Sequence, residues 1–425
     1  MKKCLLLLLL LSPALRAAEP PGQFKLYGDI SNFASWNSRE GMKDGIGLFY
    51  LLPADIQPNA VGMDLNDASA VRFVSIASRI GLTWGGYKFR NIDLKARMEA
   101  DFYCANGVKS VLRLRHAWFS ASTELSGKRT LRILAGQTWH PFSADLPHTL
   151  SLSCGAPFNV YNYSPQVSLT YDIFPWMKLS ASAMWHTNFC STGPNGSSSQ
   201  YIEWGGIPEC YVGLHFTCQG FKAKIGGNFL SIKPRLQGTY PWTDVPVLVG
   251  DKLDNWSFFA FAEFRKGDFS IKGKSLFTQS GEHLNLMGGY ALHSTACDRD
   301  GNPNGTYIYT PYRTLSSWVS FGYGRKLQAS LFLGYLRNLG TMQALLNTNA
   351  SCIFYNNSAY NLVQAGRIAP VLKYRIGRLL LGIEYELTGA QYGDKATLNP
   401  QNGLAENDLR VVASHRVTAL AACIF

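Results

Sequence analysis

The chain has 425 residues, of which only 16% are charged and 13% are aromatic, with 40 glycines and a formal net charge of +12. Soluble domains average about 25% charged residues, and this composition together with a mean hydropathy of −0.05 argues against an ordinary soluble enzyme. Beyond the first residues no apolar run approaches the ~20 residues a membrane helix needs, which excludes a helical membrane protein.

Lys2 and Lys3 precede the apolar stretch Leu5–Leu11, and Pro13-Ala14-Leu15-Arg16-Ala17-Ala18 supplies small residues for cleavage. Residues 1–18 are therefore expected to be a secretory signal, too short to span a bilayer, with cleavage near Ala17 or Ala18. Cys4 lies before the apolar core and is no lipidation site. Removing Lys2, Lys3 and Arg16 lowers the charge from +12 to +9. A basic excess attracts anions. For an exported chain these are lipopolysaccharide phosphates or anionic solutes; nucleic acid is not an expected partner.

Residues 19–425 read as one domain. Period-2 alternation predicts sixteen strands: 24–37, 70–84, 87–103, 108–122, 129–139, 166–174, 176–187, 210–218, 221–232, 254–266, 268–280, 311–324, 326–337, 360–376, 378–389 and 408–425. Even-numbered strands are followed by tight turns such as Gly85-Gly86, Ser126-Gly127-Lys128 and Ile376-Gly377. Most odd-numbered strands lead into long polar loops: 38–69, 140–165, 188–209, 233–253, 281–310, 338–359 and 390–407. Only 104–107 is short. This parity fits an all-β, 16-stranded antiparallel up-and-down transmembrane β-barrel, with short periplasmic turns and longer outer loops.

Within strands one face is charged and the other apolar. Asp93, Lys95, Arg97, Glu99 and Asp101 oppose Ile92, Leu94, Ala96, Met98, Ala100 and Phe102. The charges require water or close pairing, so they face a lumen while the apolar side meets lipid. Trp36, Trp84, Tyr87, Trp118, Trp139, Trp176, Trp185, Trp318 and Tyr323 lie near strand ends and are expected in two interfacial girdles. Phe425 ends the last strand on an outward face shared with Val417, Ala419, Ala421 and Cys423.

The expected functional surface is the lumen. Lys95, Arg97, Arg113, Arg115 and Arg132 fall on inward faces of strands three to five, about 4.8 Å apart across the sheet, as a cationic ladder. Asp93, Glu99 and Asp101 are placed to neutralise it locally. Lys224, Lys274, Arg410 and Arg416 add inward positive charge. Loop 140–165, with four prolines, His140, His148 and Asp145, is expected to fold inward and narrow the pore, favouring anions. Catalysis lacks a pattern: His116, His186, His215 and His415 lie in separate strands, and His140 and His148 are spaced poorly for a metal. The expectation is no enzyme, no cofactor and no metal. Cys190 and Cys210 flank a Gly/Ser-rich loop in a position to bridge it; Cys218 and Cys423 read as small apolar strand residues.

Between residues 72 and 142 four elements follow in order: Ser78-Arg79-Ile80-Gly81-Leu82, Glu99-Ala100-Asp101-Phe102, Leu112-Arg113-Leu114-Arg115-His116-Ala117-Trp118-Phe119, and Leu134-Ala135-Gly136-Gln137-Thr138-Trp139-His140-Pro141-Phe142. This set, about a sixth of the chain, resembles the DcaP-like porin family. The resemblance implies a trimeric 16-stranded channel for organic anions, dicarboxylates among them. It implies that Arg79, Arg113 and Arg115 line the lumen and that 137–142 lead into a constricting loop. Some relatives carry a helical periplasmic extension before the barrel; none is expected here, and the charges beyond residue 142 have no match in the pattern. Two functions stand on this reading: an outer-membrane porin for small hydrophilic, carboxylate-bearing solutes, or a non-channel surface barrel acting through its outer loops. A barrel phospholipase is a distant third.

Overall fold

The computed structural model describes residues 22–44, 49–105, 109–240, 243 and 245–425; the expected leader, 1–18, lies outside them. Sixteen strands form the wall: β1 (Gln23–Asn37), β2 (Ala70–Val74 and Arg79–Phe89), β3 (Ile92–Ala105), β4 (Lys109–Leu125), β5 (Arg129–Trp139), β6 (Tyr163–Phe174), β7 (Met177–Met184), β8 (Glu209–Cys218), β9 (Phe221–Ile232), β10 (Leu253–Lys266), β11 (Phe269–Gln279), β12 (Pro303–Gly324), β13 (Leu327–Thr341), β14 (Leu362–Ile376), β15 (Leu379–Tyr392) and β16 (Arg410–Ile424). Each pairs antiparallel with its chain neighbours, and β1 pairs with β16 in the register Asp29↔Ile424 to Asn37↔Arg416. The sheet therefore closes, which satisfies the backbone groups that an open edge would leave bare in lipid. At the seam Gly28 and Phe425 exchange two backbone hydrogen bonds of 3.0 Å.

Alternation sorts the faces. Along β10, Trp256, Phe258 and Phe264 point out while Asn255, Ser257 and Glu263 are buried inside. Among the described residues, no helix is long and apolar enough to cross a membrane.

Four sequence expectations need correction. Gly85-Gly86 is not a turn: Gly86 adopts φ +80° within a bulge, and the strand runs on to Phe89, with the reversal at Arg90 (φ +55°). Trp318 and Trp139 do not belong to a girdle. Trp318 is buried inside and donates to Asn159 Oδ1 at 3.0 Å, and Trp139 stacks on Tyr163 with ring centroids 4.0 Å apart. Cys190 and Cys210 are free thiols. Glu209 points inward, so its strand neighbour Cys210 projects outward and is exposed, away from Cys190. Finally, 38–69 is not polar throughout: Phe49–Pro53 is wholly buried.

That last segment belongs to a filling inside the cylinder. A hairpin of Gly41–Asp44 and Phe49–Pro53 lies against β14–β16. Arg367 donates to the carbonyls of Tyr50 and Leu51, Tyr392 to that of Pro53 at 2.6 Å, and Arg410 grips Asp55 bidentately at 2.8 and 2.6 Å. Residues 140–162 cross from β5 to the opposite wall. His148 N–H reaches Ser320 Oγ (3.0 Å), Lys373 reaches the Thr149 carbonyl (2.9 Å), and the Leu150 and Ser151 amides donate to the Glu384 carboxylate. Phe158 packs over Gly334, where a Cβ would meet its ring at 2.6 Å. Phe142, Phe158, Val160, Leu51 and Leu52 join Trp318, Phe332 and Phe261 in one apolar core within the lumen. At about 1.5–3 kcal/mol for each large side chain removed from water, this filling is held as firmly as a soluble core.

Candidate functional site

The filling rests on one half of the wall. Inward residues of β10–β16, among them Lys274, Ser316, Ser320, Ala369, Glu386 and Thr418, are buried beneath it. On β1–β5 Ser31, Glu99, Asp101 and His116 are buried too, but several inward cations are not. Side-chain exposure is 48% at Lys95, 33% at Arg97 and 35% at Arg79, falling to 14% at Arg113 and 8% at Arg115. Exposure along this wall thus falls from Lys95 toward Arg115.

The strands put these cations in one place because β3 and β4 pair Asp101 with Arg113 and Glu99 with His116, with a bulge between Glu99 and Ala100 that brings Arg115 inward as well. Arg113 forks onto Asp101 (2.9 and 2.7 Å). Arg115 bridges Glu99 and Asp101, at 2.8 Å to each, and its guanidinium lies over Tyr163 and Trp139, 4.8 and 5.8 Å from their ring centroids. Arg97 donates to Glu99 and to the Tyr27 hydroxyl, both at 2.7 Å, while Tyr27 itself donates to Glu99 at 2.8 Å. Such planar, bidentate pairs are the strong kind, and burial makes removal of one partner cost about 3–5 kcal/mol.

Of the six residues singled out from sequence, Arg97, Arg113 and Arg115 form a single network. Arg79 stands apart, paired with Asp29 at 3.0 Å. Lys95 is paired loosely with Asp93 at 3.5 Å. Arg132 is exposed and, among the described residues, makes no ion pair. The wall is therefore not a bare ladder: five of the six cations are paired with the carboxylates of Asp29, Asp93, Glu99 and Asp101. Lys224, Lys274, Arg410 and Arg416 also point inward, and each is engaged: with Asp145, with carbonyls of residues 142–159, with Asp55 and with Glu386. Sequence reasoning missed Tyr27, Tyr161 and Tyr163, which complete the narrow zone, and Asp29, the partner of Arg79. A Tyr in mid-strand carries no signal beyond its face, and Tyr161 and Tyr163 sit where a loop was expected to end.

At the end of the short turns a cavity of about 430 Å³ is lined by His148, Arg265, Asp268, Ser270, Tyr323 and Lys373. His148 Nε2 lies 2.9 Å from Ser270 Oγ. Burial, with Lys272 and Lys373 adding to it, pushes the His148 pKa down to about 4, so the ring is neutral at pH 7.

No protein-family model matches the sequence, and no curated protein matches it. Solved structures do share its fold. The outer-membrane channel DcaP of Acinetobacter baumannii superposes with TM-score 0.65 at 16% identity, over 96% of this chain and 99% of that one. OmpT, an outer membrane protein of Vibrio cholerae, gives 0.52 at 13% identity over 96% and 99%. An anion-selective porin from Comamonas acidovorans gives 0.51 at 11% over 95% and 100%. The fold is that of outer-membrane porins, and the DcaP likeness agrees with the motif resemblance at 72–142.

Proposed function

We propose that the protein is an outer-membrane porin through which small hydrophilic, carboxylate-bearing solutes diffuse passively along the β1–β5 wall. The carrying observation is the asymmetry of the lumen. The apolar filling covers β10–β16, whereas Arg79, Lys95, Arg97 and Arg132 on the facing strands keep about a third or more of the side chain exposed. The Arg113–Arg115 zone is the constriction in this reading. There a solute carboxylate competes with Glu99 and Asp101 for the guanidinium forks, which sets a modest anion preference rather than a steep one.

The same reading takes residues 1–18 as an export leader, lipopolysaccharide phosphates as neighbours of the basic barrel, and a homotrimer as the assembly. The small outward residues Ala181, Ala183, Ala419 and Ala421 permit close contact between barrels, and one structural neighbour, OmpT of Vibrio cholerae, is described in a trimer form. Planar-bilayer conductance with reversal potentials in a salt gradient tests the proposal. Discrete conductance with a reversal potential on the anion side is expected; a cation-side potential refutes the anion claim.

A second reading is a closed barrel that acts through its outer loops. The observation in its favour is the continuous apolar core inside the cylinder. A folded, heat-modifiable protein with no conductance selects it.

A further inference from the structure

Four segments distant in sequence meet in the outer half of the lumen around one carboxylate. Glu209, the first residue of β8, is fully buried. His140 Nε2 and His283 Nε2 lie 3.1 and 3.2 Å from its Oε1, and His186 Nε2 lies 3.0 Å from its Oε2. The Asn228 amide on β9 also donates to Oε1. All three imidazoles are buried, and the rings of His186 and His283 are stacked, 4.8 Å apart and 17° from parallel.

The other ring nitrogen of each histidine fixes its role. His140 Nδ1 accepts from the Phe142 amide (3.1 Å). Its proton is therefore on Nε2, aimed at Glu209, and His140 is a satisfied donor. His283 is the reverse: Nδ1 lies 3.1 Å from the Ser280 carbonyl, an oxygen that only accepts, so Nδ1 holds the proton. In the neutral ring Nε2 then presents a lone pair to a carboxylate oxygen, two acceptors facing each other without water between them. His186 Nδ1 is buried with no partner, so the ring's contact with the cluster is made through Nε2, 3.0 Å from Glu209 Oε2. Protonating both stacked rings would set two imidazolium charges face to face. A single divalent ion between the three groups would take up both Nε2 lone pairs and the carboxylate charge together.

We propose that His186, Glu209 and His283 bind a divalent first-row transition ion of the zinc type. The ligand atoms of these three residues lie within 4.8 Å of one another. The edge of a tetrahedron with metal–ligand bonds of about 2.0–2.1 Å is roughly 3.3 Å; each nitrogen already lies near that distance from one carboxylate oxygen, His283 from Oε1 and His186 from Oε2, and the three ligand atoms must close from a spread of up to 4.8 Å. Imidazole and carboxylate together suit zinc, cobalt and nickel and discriminate against calcium and magnesium. The His283–Ser280 bond is the outer-shell contact that orients a ligating imidazole, and His140 with Asn228 does the same for the carboxylate. The ion ties the segment after β7, the start of β8 and the turn at residues 281–284 into one clamp, which fastens the outer loops over the lumen.

The test uses untagged full-length protein in detergent, stripped with chelator and titrated with Co2+. One equivalent with visible d–d bands, displaced by Zn2+, is expected. His283→Ala and His186→Ala lose that equivalent, and His140→Ala retains it with affinity reduced about 10–100-fold, as for outer-shell partners. His415→Ala, on the lipid side of β16, binds like the wild type. Heat-modifiable mobility confirms that each variant is folded. Should the ligand variants fail to fold, X-ray absorption of the cobalt-loaded wild type decides: imidazole scattering is expected. Wild-type binding no tighter than that of folded His283→Ala, or a cobalt spectrum without nitrogen ligation, overturns the proposal. These readouts do not depend on conductance, so they stand apart from the porin reading.

Discussion

Replacing Lys274 by Met tests whether the filling is a docked element or merely packed loop. The Lys274 ammonium donates to the Phe142 carbonyl (2.7 Å), the Asp145 carbonyl (2.9 Å) and Asn159 Oδ1 (3.2 Å). All three acceptors belong to residues 140–162, and the side chain is buried on β11. Met keeps the length of the stem and suits the surrounding Phe259, Phe261 and Trp318 rings. Hydrogen bonds to a charged group are worth about 1.5–3 kcal/mol each. Against their loss stands the relief of burying an ammonium, several kcal/mol, so the net cost to docking is about 2–4 kcal/mol. That is roughly a 30- to 900-fold shift in the docking equilibrium. Hydrogen exchange reads it directly at the amides of Ser143, Cys154, Ala156 and Phe158, each bonded within the loop. These are expected to exchange faster by that factor while β10 and β11 stay protected. Unchanged exchange at the four amides, or an acceleration spread over the whole barrel, refutes the reasoning.

Asp101→Asn removes the carboxylate shared by Arg113 and Arg115. One added positive charge about 7 Å from a passing ion is worth roughly 0.6–2 kcal/mol at effective dielectrics between 80 and 20, so the reversal potential moves further to the anion side; a move the other way contradicts the placement of the constriction. Gly28→Val should block closure, because a Cβ there meets the Arg79 carbonyl at 2.5 Å and the Phe425 ring at 2.8 Å, and loss of the heat-modifiable form on gels measures it. His148 has its pKa lowered to about 4 in the fold, against about 6.5 unfolded. Its contribution to loop docking is therefore complete above pH 6.5 and fades as pH falls toward 4. Protection of the Leu150 and Ser151 amides should decline over that window in wild type and decline less in His148→Gln, with Lys272, Lys373, Glu263 and Arg265 as the surrounding charges.

The cylinder was legible because two physical signals agreed: period-2 faces in each strand and the parity of connection lengths. The bulge at Gly86 was not, since a glycine pair signals a reversal and a bulge equally well. Parity places Arg97, Arg113 and Lys274 inside but says nothing of what covers them, so the paired state of the wall and the depth of Lys274 were invisible. Trp318 shows the same limit: near a strand end it suits a girdle, and only residues 156–160 arriving from across the lumen make an inward indole useful. The run Phe49-Tyr50-Leu51-Leu52-Pro53 was the missed clue, five apolar residues in a segment supposed to face water. The grouping of His140, His186, Glu209 and His283 leaves no trace in sequence, because three separate connections and the start of β8 supply it.

The interior bonds also join parts of the chain that are far apart along it. Leu150 meets Glu384 across 234 positions, Leu51 meets Arg367 across 316 and Asp55 meets Arg410 across 355. Contacts of such long sequence separation are slow to form, because the entropy of closing each loop is lost before the contact repays it. Yet the hairpin near the start of the chain rests on the last three strands, the very strands that must come round to meet β1. Once seated, it holds the two edges close together and shortens the remaining search, so the stuffing acts as a mandrel on which the cylinder is rolled shut.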